Sequence, residues 1–301
     1  MKNSIKNSAL GVLFAAVTAF AGLVQAEEIK QTHQGKMLNA NLVMADGKSY
    51  SDEFVLLLHG TLTHNGRSLY TILQDNLAAE GVSSLSINLS LGLDDRHGEY
   101  DCATPHTHKH TDALDEIGVW LDWLQQQGAD KVTIMGHSRG GNQIAWFAAE
   151  HDHPQIEKVV LLAPATGEQQ SPKDYQKKYG TPLSQVLDKA QKLVSQGKGS
   201  QMMKGVDFIY CEDAQVTAEA FVDYYTQKPQ FDTPTLLKSA KKPTLVIIAS
   251  EDQVVPELPD RMAELGEVNK VQTLTIDGAD HFFMDFFNED VARATAEFMR
   301  Q

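Results

Sequence analysis

The pentapeptide Gly136-His137-Ser138-Arg139-Gly140 follows directly on the apolar run Val132 to Met135, and this junction constrains the fold more than any other part of the chain. A G-x-S-x-G sequence between a strand and a helix sets its serine on a sharp, strained turn. The flanking glycines leave room for strand and helix to pack closely. Ser138 is therefore expected to stand exposed at the top of a sheet. Five residues rich in glycine also occur by chance, so the weight of the motif depends on its surroundings.

Those surroundings alternate between strand-length apolar runs and helical patterns. Strands are predicted at Phe54 to Leu58, Ser84 to Asn88, Val132 to Met135, Val159 to Leu162, Leu245 to Ala249 and Val271 to Ile276. They are rich in Val, Ile and Leu with little alternation, as befits parallel strands covered on both faces. A weaker strand, Asn39 to Ala45, is expected at an edge. Asp112 to Gln127 aligns Leu114, Ile117, Leu121 and Leu124 on one face and stops at Gly128, the pattern of an amphipathic helix. Ser138 to Glu150 and Glu289 to Gln301 are helical in pattern too. The order implies an α/β fold, a doubly wound and mostly parallel sheet. The pattern breaks between Thr166 and Lys242, where amphipathic pieces (Leu183 to Val194, Thr217 to Tyr225) occur without a strong strand. Residues 166–241 are accordingly expected to form an inserted helical cap over the C-terminal edge of the sheet. The core is then 27–165 together with 242–301.

Residues 1–26 have the form of a secretory signal peptide: Lys2 and Lys6 at the start, an apolar run from Ala9 to Val24, and Val24-Gln25-Ala26 as the cleavage site. The run is shorter than the roughly 20 residues that span a bilayer, so no stable membrane anchor is expected. The exported protein would be periplasmic or extracellular. Without Lys2 and Lys6, 24 Lys+Arg face 40 Asp+Glu, a net charge of −16. With no Lys/Arg cluster to interrupt that balance, nucleic acid is not an expected partner. Cys102 and Cys211 are the two cysteines, outside any C-x-x-C or zinc spacing. In an oxidising compartment they are expected to form a disulfide, the alternative being two buried thiols.

A serine hydroxyl becomes a useful nucleophile when a base takes its proton and an acid orients that base. The predicted strand ending at Ala249 runs into Ser250-Glu251-Asp252-Gln253-Val254-Val255-Pro256, which offers Asp252 as the acid. The strand ending at Ile276 runs into Asp277-Gly278-Ala279-Asp280-His281, which offers His281 as the base. Asp280 is the alternative acid, but as the neighbour of His281 it would need an unusual turn to reach the ring. An oxyanion hole requires two backbone N–H groups. One is expected from Arg139, the other from His59-Gly60-Thr61-Leu62, with Thr61 the first choice of donor and Leu62 the second. His59 and His137 are expected to brace these loops, and Asp207 and Asp213 to lie on the cap surface. The stretch from His97 to His110 includes Asp101, His106, His108 and His110. Alternate histidines can share a face and hold zinc or copper. Without paired ligands of recognised spacing, the stretch is expected instead to be a polar rim, and no metal site is assigned.

Taken together, the HG at 59–60, GHSRG at 136–140, SEDQVVP at 250–256 and GADHFF at 278–283 resemble the markers of α/β-hydrolase-fold serine hydrolases, most of all secreted or periplasmic carboxylesterases and lipases. The resemblance covers the chain after about residue 50. It implies a covalent acyl-enzyme on Ser138, no cofactor, and a small-molecule ester or thioester as substrate. A peptidase or amidase shares the same machinery, and a binding protein that kept the fold is a further alternative. Arg139 departs from the smaller or uncharged residue of many relatives. Its guanidinium is expected to pair with a core carboxylate rather than to bias the pocket toward anionic acyl groups.

Overall fold

The structure, a computed structural model, describes residues 26–301; the predicted signal peptide lies outside the described residues except for Ala26. Among the described residues, ten strands and nine α-helices follow one another as β1 (Glu27–His33), β2 (Lys36–Val43), β3 (Phe54–Leu58), α1 (Ser68–Ala79), β4 (Ser83–Asn88), α2 (Asp112–Gln127), β5 (Val132–His137), α3 (Arg139–Glu150), β6 (Ile156–Leu162), α4 (Pro172–Tyr179), α5 (Leu183–Ser195), β7 (Met202–Phe208), β8 (Cys211–Thr217), α6 (Ala218–Tyr225), α7 (Thr233–Leu237), β9 (Thr244–Ala249), α8 (Leu258–Leu265), β10 (Val271–Ile276) and α9 (Phe286–Met299). Eight of the strands form one sheet in the order β1-β2-β4-β3-β5-β6-β9-β10. From β4 to β10 all neighbours are parallel, while β1–β2 and β2–β4 are antiparallel.

Every residue of β3, β4, β5 and β9 is buried. Removing these branched apolar side chains from water contributes on the order of 1.5–3 kcal/mol for each large one. The covering helices fall into two groups, α1 against α9 and α2 against α3, one for each face. Leu58 pairs with Ile87 of β4 and with Gly136 of β5, so the central strands end level and their following loops share one edge.

Two features depart from the sequence expectation. The strand expected at Asn39 to Ala45 is β2, and it lies one place in from the edge because the charged sequence of β1 (EEIKQTH) caps the sheet beyond it. Glutamates and a lysine on an outer strand protect its unpaired backbone from stray pairing, and they also hide its strand character. The second is in residues 166–241, which hold an antiparallel hairpin, β7–β8, as well as helices. Its register shifts between Lys204 and Val206 and again between Val206 and Phe208, so apolar residues never alternate for long and the period-2 signal is lost.

That hairpin and helices α4, α5 and α6 share their own apolar cluster around Tyr175, Leu183, Met203, Phe208, Phe221 and Tyr225. Farther along, Phe231 and Leu237 rejoin the main core. Two ties bind the cap to the loop after β4. Cys102 and Cys211, 109 residues apart, are joined by a disulfide. Beside it, His106 N–H donates to Gln215 O (2.7 Å) and Thr217 N–H to His106 O (2.9 Å), which lays the loop along β8 as a short parallel bridge.

Candidate active site

Ser138 sits between β5 and α3 with φ 55° and ψ −121°, a backbone conformation that few residues with a side chain adopt. The turn is fixed from both sides: Ser138 N–H donates to Leu162 O (2.9 Å), and Ser138 O accepts from Ala165 N–H (3.0 Å). A Cβ on Gly136 would lie 2.3 Å from Gly140 O, and one on Gly140 would lie 2.2 Å from His59 O. Neither position admits a side chain, which gives the two glycines of the motif a steric cause.

His281 and Asp252 arrive from the loops after β10 and β9. Nδ1 of His281 lies 2.7 Å from Asp252 Oδ2, and both side chains are buried. The other oxygen, Oδ1, accepts from the N–H groups of Val254 (2.7 Å) and Val255 (2.9 Å). Burial pushes the Asp252 carboxyl up, but the His281 hydrogen bond and charge together with these two N–H donors outweigh it and hold the carboxyl below its ordinary value. An ionised carboxylate only accepts, so Nδ1 carries the proton and Nε2 is left with a lone pair. Asp280 is exposed, and its Oδ1 accepts from the N–H of Phe282 (2.9 Å) within its own turn.

A chain of neutral groups links the three loops. Gly60 N–H donates to Tyr70 Oη (2.8 Å), Tyr70 donates to His137 Nδ1 (2.9 Å), and His137 Nε2–H donates to the carbonyl of His281 (2.9 Å). The carbonyl of His281 can only accept, so the neutral His137 ring carries its proton on Nε2, and its Nδ1 lone pair makes Tyr70 the donor. Burial holds His137 neutral, its pKa pushed down to about 3. His59 behaves alike: burial first and then Arg96 lower it to about 3. Its Nδ1–H donates to Gly60 O (2.8 Å) while Nε2 accepts from Leu89 N–H (3.1 Å).

Ser138, His137 and His281 line one pocket of about 210 Å³ with Gly60, Thr61, Thr63, Arg67, Tyr70, Val254 and Phe282 from the core and Tyr210 from the cap. Among the described residues the N–H groups of Thr61, Leu62 and Arg139 have no protein acceptor. Thr61 borders the pocket, whereas Leu62 does not.

The Arg139 side chain does not meet a carboxylate, contrary to the sequence expectation; none among the described residues lies within ion-pair distance. Instead Nε donates to Thr61 Oγ1 (3.0 Å), Nη1 lies 3.4 Å from His110 Nδ1, and the guanidinium carbon stands 5.4 Å from the centre of the Tyr224 ring. Core acids are spoken for elsewhere: Glu116, for example, accepts from Ser90 N–H (2.9 Å) and Ser90 Oγ (2.6 Å).

The histidine stretch is not a rim. His106, His108 and His110 turn inward and are buried where the loop after β4 meets the cap. His108 Nδ1 lies 2.9 Å from Tyr224 Oη, and burial pushes the pKa of all three histidines down, that of His106 to about 4. His97 stays at the surface beside Glu28 and Asp95, whose ligand atoms lie within 4.8 Å of its own. Lys30 already occupies that cluster, 2.6 Å from Asp95 and 3.3 Å from Glu28. Asp213 is exposed; Asp207, partly buried, accepts from its N–H (3.3 Å).

Sequence reasoning missed Arg67, Tyr210 and Phe282. Tyr210 sits at the tip of the β7–β8 hairpin, where Ile209 (φ 32°) and Tyr210 (φ 72°) both have positive φ. Its N–H is held by Tyr179 Oη (3.0 Å) and its ring by Lys178 Nζ, 3.6 Å from the centre. Adjacency to Cys211 was the available signal, since a disulfide to a loop beside the site brings its neighbour there too.

No helix among the described residues is long and apolar enough to cross a membrane. No curated protein is significantly similar in sequence. Among solved structures, the fold matches Est1E from Butyrivibrio proteoclasticus bound to ferulic acid (19% identity, 90% of this chain and 98% of that chain, TM-score 0.65). It also matches the Paleococcus ferrophilus monoacylglycerol lipase (19% identity, 87% and 98%, TM-score 0.59) and the α/β hydrolase GrgF from Penicillium sp. sh18 (12% identity, 92% and 98%, TM-score 0.65). The family model described as serine aminopeptidase, S33, matches residues 50–289. With the α/β sheet, the strained serine turn and a match over most of its length, the chain belongs to the serine aminopeptidase S33 family of α/β-hydrolase enzymes.

Proposed function

We propose that the protein is an exported serine esterase that cleaves a carboxylic ester or thioester through a covalent acyl-enzyme. Ser138 is the nucleophile, His281 first the base and then the acid, and Asp252 the group that orients the imidazole and stabilises its charged form. The N–H groups of Thr61 and Arg139 donate to the oxyanion as the carbonyl carbon becomes tetrahedral. His281 then protonates the leaving oxygen, and a water activated by the same ring releases the acid and restores Ser138.

The observation that carries this reading is the 2.7 Å contact between His281 Nδ1 and the ionised Asp252, which leaves Nε2 as a base in the pocket that Ser138 also lines. The fold likeness to an esterase bound to ferulic acid and to a monoacylglycerol lipase supports ester chemistry. Export is supported by the disulfide and by the signal-like N-terminal sequence.

A second reading, aminopeptidase, takes its support from the family's description. An aminopeptidase must hold the ammonium of its substrate, a task for a carboxylate, yet no Asp or Glu lines the pocket and Arg67 does. Ester cleavage is therefore the better fit. Ser138→Ala should lower kcat for p-nitrophenyl esters on the order of 10⁶-fold with circular dichroism preserved. Unchanged ester turnover in that variant, or faster cleavage of aminoacyl anilides than of esters by the native protein, would overturn the reading.

A further inference from the structure

The chain carries 40 Asp+Glu against 26 Lys+Arg, yet among the described residues the one formally charged side chain on the pocket wall is the cation Arg67, apart from His281 when protonated. Its closest carboxylate is that of Glu99, with Nε 3.8 Å from Oε1, beyond hydrogen-bond length. Glu99 is more than half exposed and its Oε1 already accepts from Thr63 Oγ1 (3.1 Å). An exposed pair at this distance stabilises little, so the Arg67 donors remain available to a ligand.

Two more cations stand near the pocket, Arg139 buried and Lys178 exposed. Arg139 is only 7% exposed and among the described residues meets no carboxylate within ion-pair distance, its side-chain partners being Thr61, His110 and the face of Tyr224. A guanidinium so far removed from water, without a counter-ion, is costly unless an anion arrives. Lys178 lies 3.6 Å over the ring of Tyr210, whose other contacts include the pocket, and it too has no carboxylate within ion-pair distance among the described residues. Lys178 is exposed, and desolvation, with Arg139, lowers its ammonium from the ordinary value, an effect that Asp174 and Glu212 offset in part. The acid nearest the chemistry, Asp252, is already bound by His281 and two N–H groups. Opposite charges would lower this positive potential; the sequence supplies many, and none lines the site.

We propose that the ester hydrolysed here carries an anionic group, a carboxylate or a phosphate, which Arg67 binds while Arg139 and Lys178 supply the surrounding positive field. The inference deepens the esterase reading and rests on it. Arg67 stands over Phe282, the residue after the base, with its guanidinium carbon 5.2 Å from the ring centre, so the anion sits some way from the scissile carbonyl. Charge-assisted hydrogen bonds of this kind are worth roughly tenfold to hundredfold in binding.

The test uses matched ester pairs. Mono-p-nitrophenyl glutarate against p-nitrophenyl butyrate puts the anion on the acyl side; 4-butyryloxybenzoate against its methyl ester puts it on the alcohol side. In at least one pair the anionic member should have a kcat/KM about tenfold higher or more. Arg67→Gln should bring that ratio close to one, Arg67→Lys should retain most of it, and salt well above 0.1 M should erode it as charges are screened. Glutarate should also slow fluorophosphonate labelling of Ser138 more than glutaramide does. Equal or faster turnover of the neutral esters in both pairs, or a ratio unmoved by Arg67→Gln, would overturn the inference and leave the esterase reading standing. A protein that hydrolyses no ester and takes no label on Ser138 would remove both together.

Discussion

In β3 the side chains are Phe, Val and Leu, buried without a polar atom among them, whereas the cap cluster is built on Tyr175, Tyr224 and Tyr225, whose hydroxyls all have to be satisfied. They meet Asp207 O (2.8 Å), His108 Nδ1 (2.9 Å) and Ile209 N–H (3.0 Å). Apolar packing is non-directional and tolerates small shifts, while a buried hydroxyl loses its partner when the geometry moves. The sheet supplies Ser138, Asp252 and His281 from strand ends, and the cap supplies Tyr210 from a hairpin tip stapled by a disulfide. The difference places Ser138, Asp252 and His281 in the rigid region, and Tyr210, which lines the same pocket, in the region held by conditional ties.

The sharpest way to break this division is at the base. Asp252→Asn should cost on the order of 10⁴ in kcat by upsetting the imidazole tautomer, with its thermal midpoint nearly unchanged. Asp280→Asn, at an exposed residue, should stay within about twofold of native activity. The reverse ranking in steady-state kinetics would mean that the loop after β10 organises the base without β9.

The cap is more fragile. Replacing Cys102 and Cys211 by serine releases a loop of 109 residues, for which chain entropy alone gives about 4–5 kcal/mol as an upper figure. Amide exchange should accelerate in residues 202–217 and stay slow in 54–58 and 132–137, while KM and substrate range change before the core melts. Equal acceleration in both regions would show one cooperative unit where two are described here.

A smaller effect separates the regions by pH. His106, His108 and His110 are held neutral by burial at the cap contact, with folded pKa values below the ordinary 6.5. The stability they contribute is present above about pH 6.5 and is lost as the pH falls toward about 4, the folded value of His106, because the unfolded chain takes up protons first. His106 alone, with its folded pKa of about 4, should therefore loosen the cap by about 2 kcal/mol between pH 7 and pH 5, seen as faster exchange around residues 106–110 and 214–217. Exchange there that is independent of pH over this range would contradict the burial of the three rings as the cause.

What the sequence disclosed follows the same division. Most of the buried parallel strands read as apolar runs, and a residue just past the end of such a run is placed by the strand itself, so Asp252 and His281 could be expected at one edge of the sheet with the loops still unknown. No comparable rule reaches Arg67 or Tyr210. Arg67 caps a helix without a side-chain hydrogen bond, and Tyr210 depends on two successive positive φ angles in a hairpin with two register shifts. The histidines at 106, 108 and 110 looked like solvent-facing polar residues because the partner that buries them lies more than a hundred residues away. β1 was hidden by the charges that keep its open edge from pairing.

Because Gly140 brings its backbone against the carbonyl of His59, the turn that carries the serine and the loop that carries Thr61 mesh like two gears with no clearance. A Cβ on Gly60 would stand 3.3 Å from the Ser138 Cβ, so the fit is close from the other direction as well. Any displacement of α3 passes undamped into the loop that faces the reacting carbonyl. Substitutions in the turn of Ser138 and in the loop of Thr61 are thus coupled. Change is freer in the hairpin and helices between β6 and β9, which pack around an apolar cluster of their own.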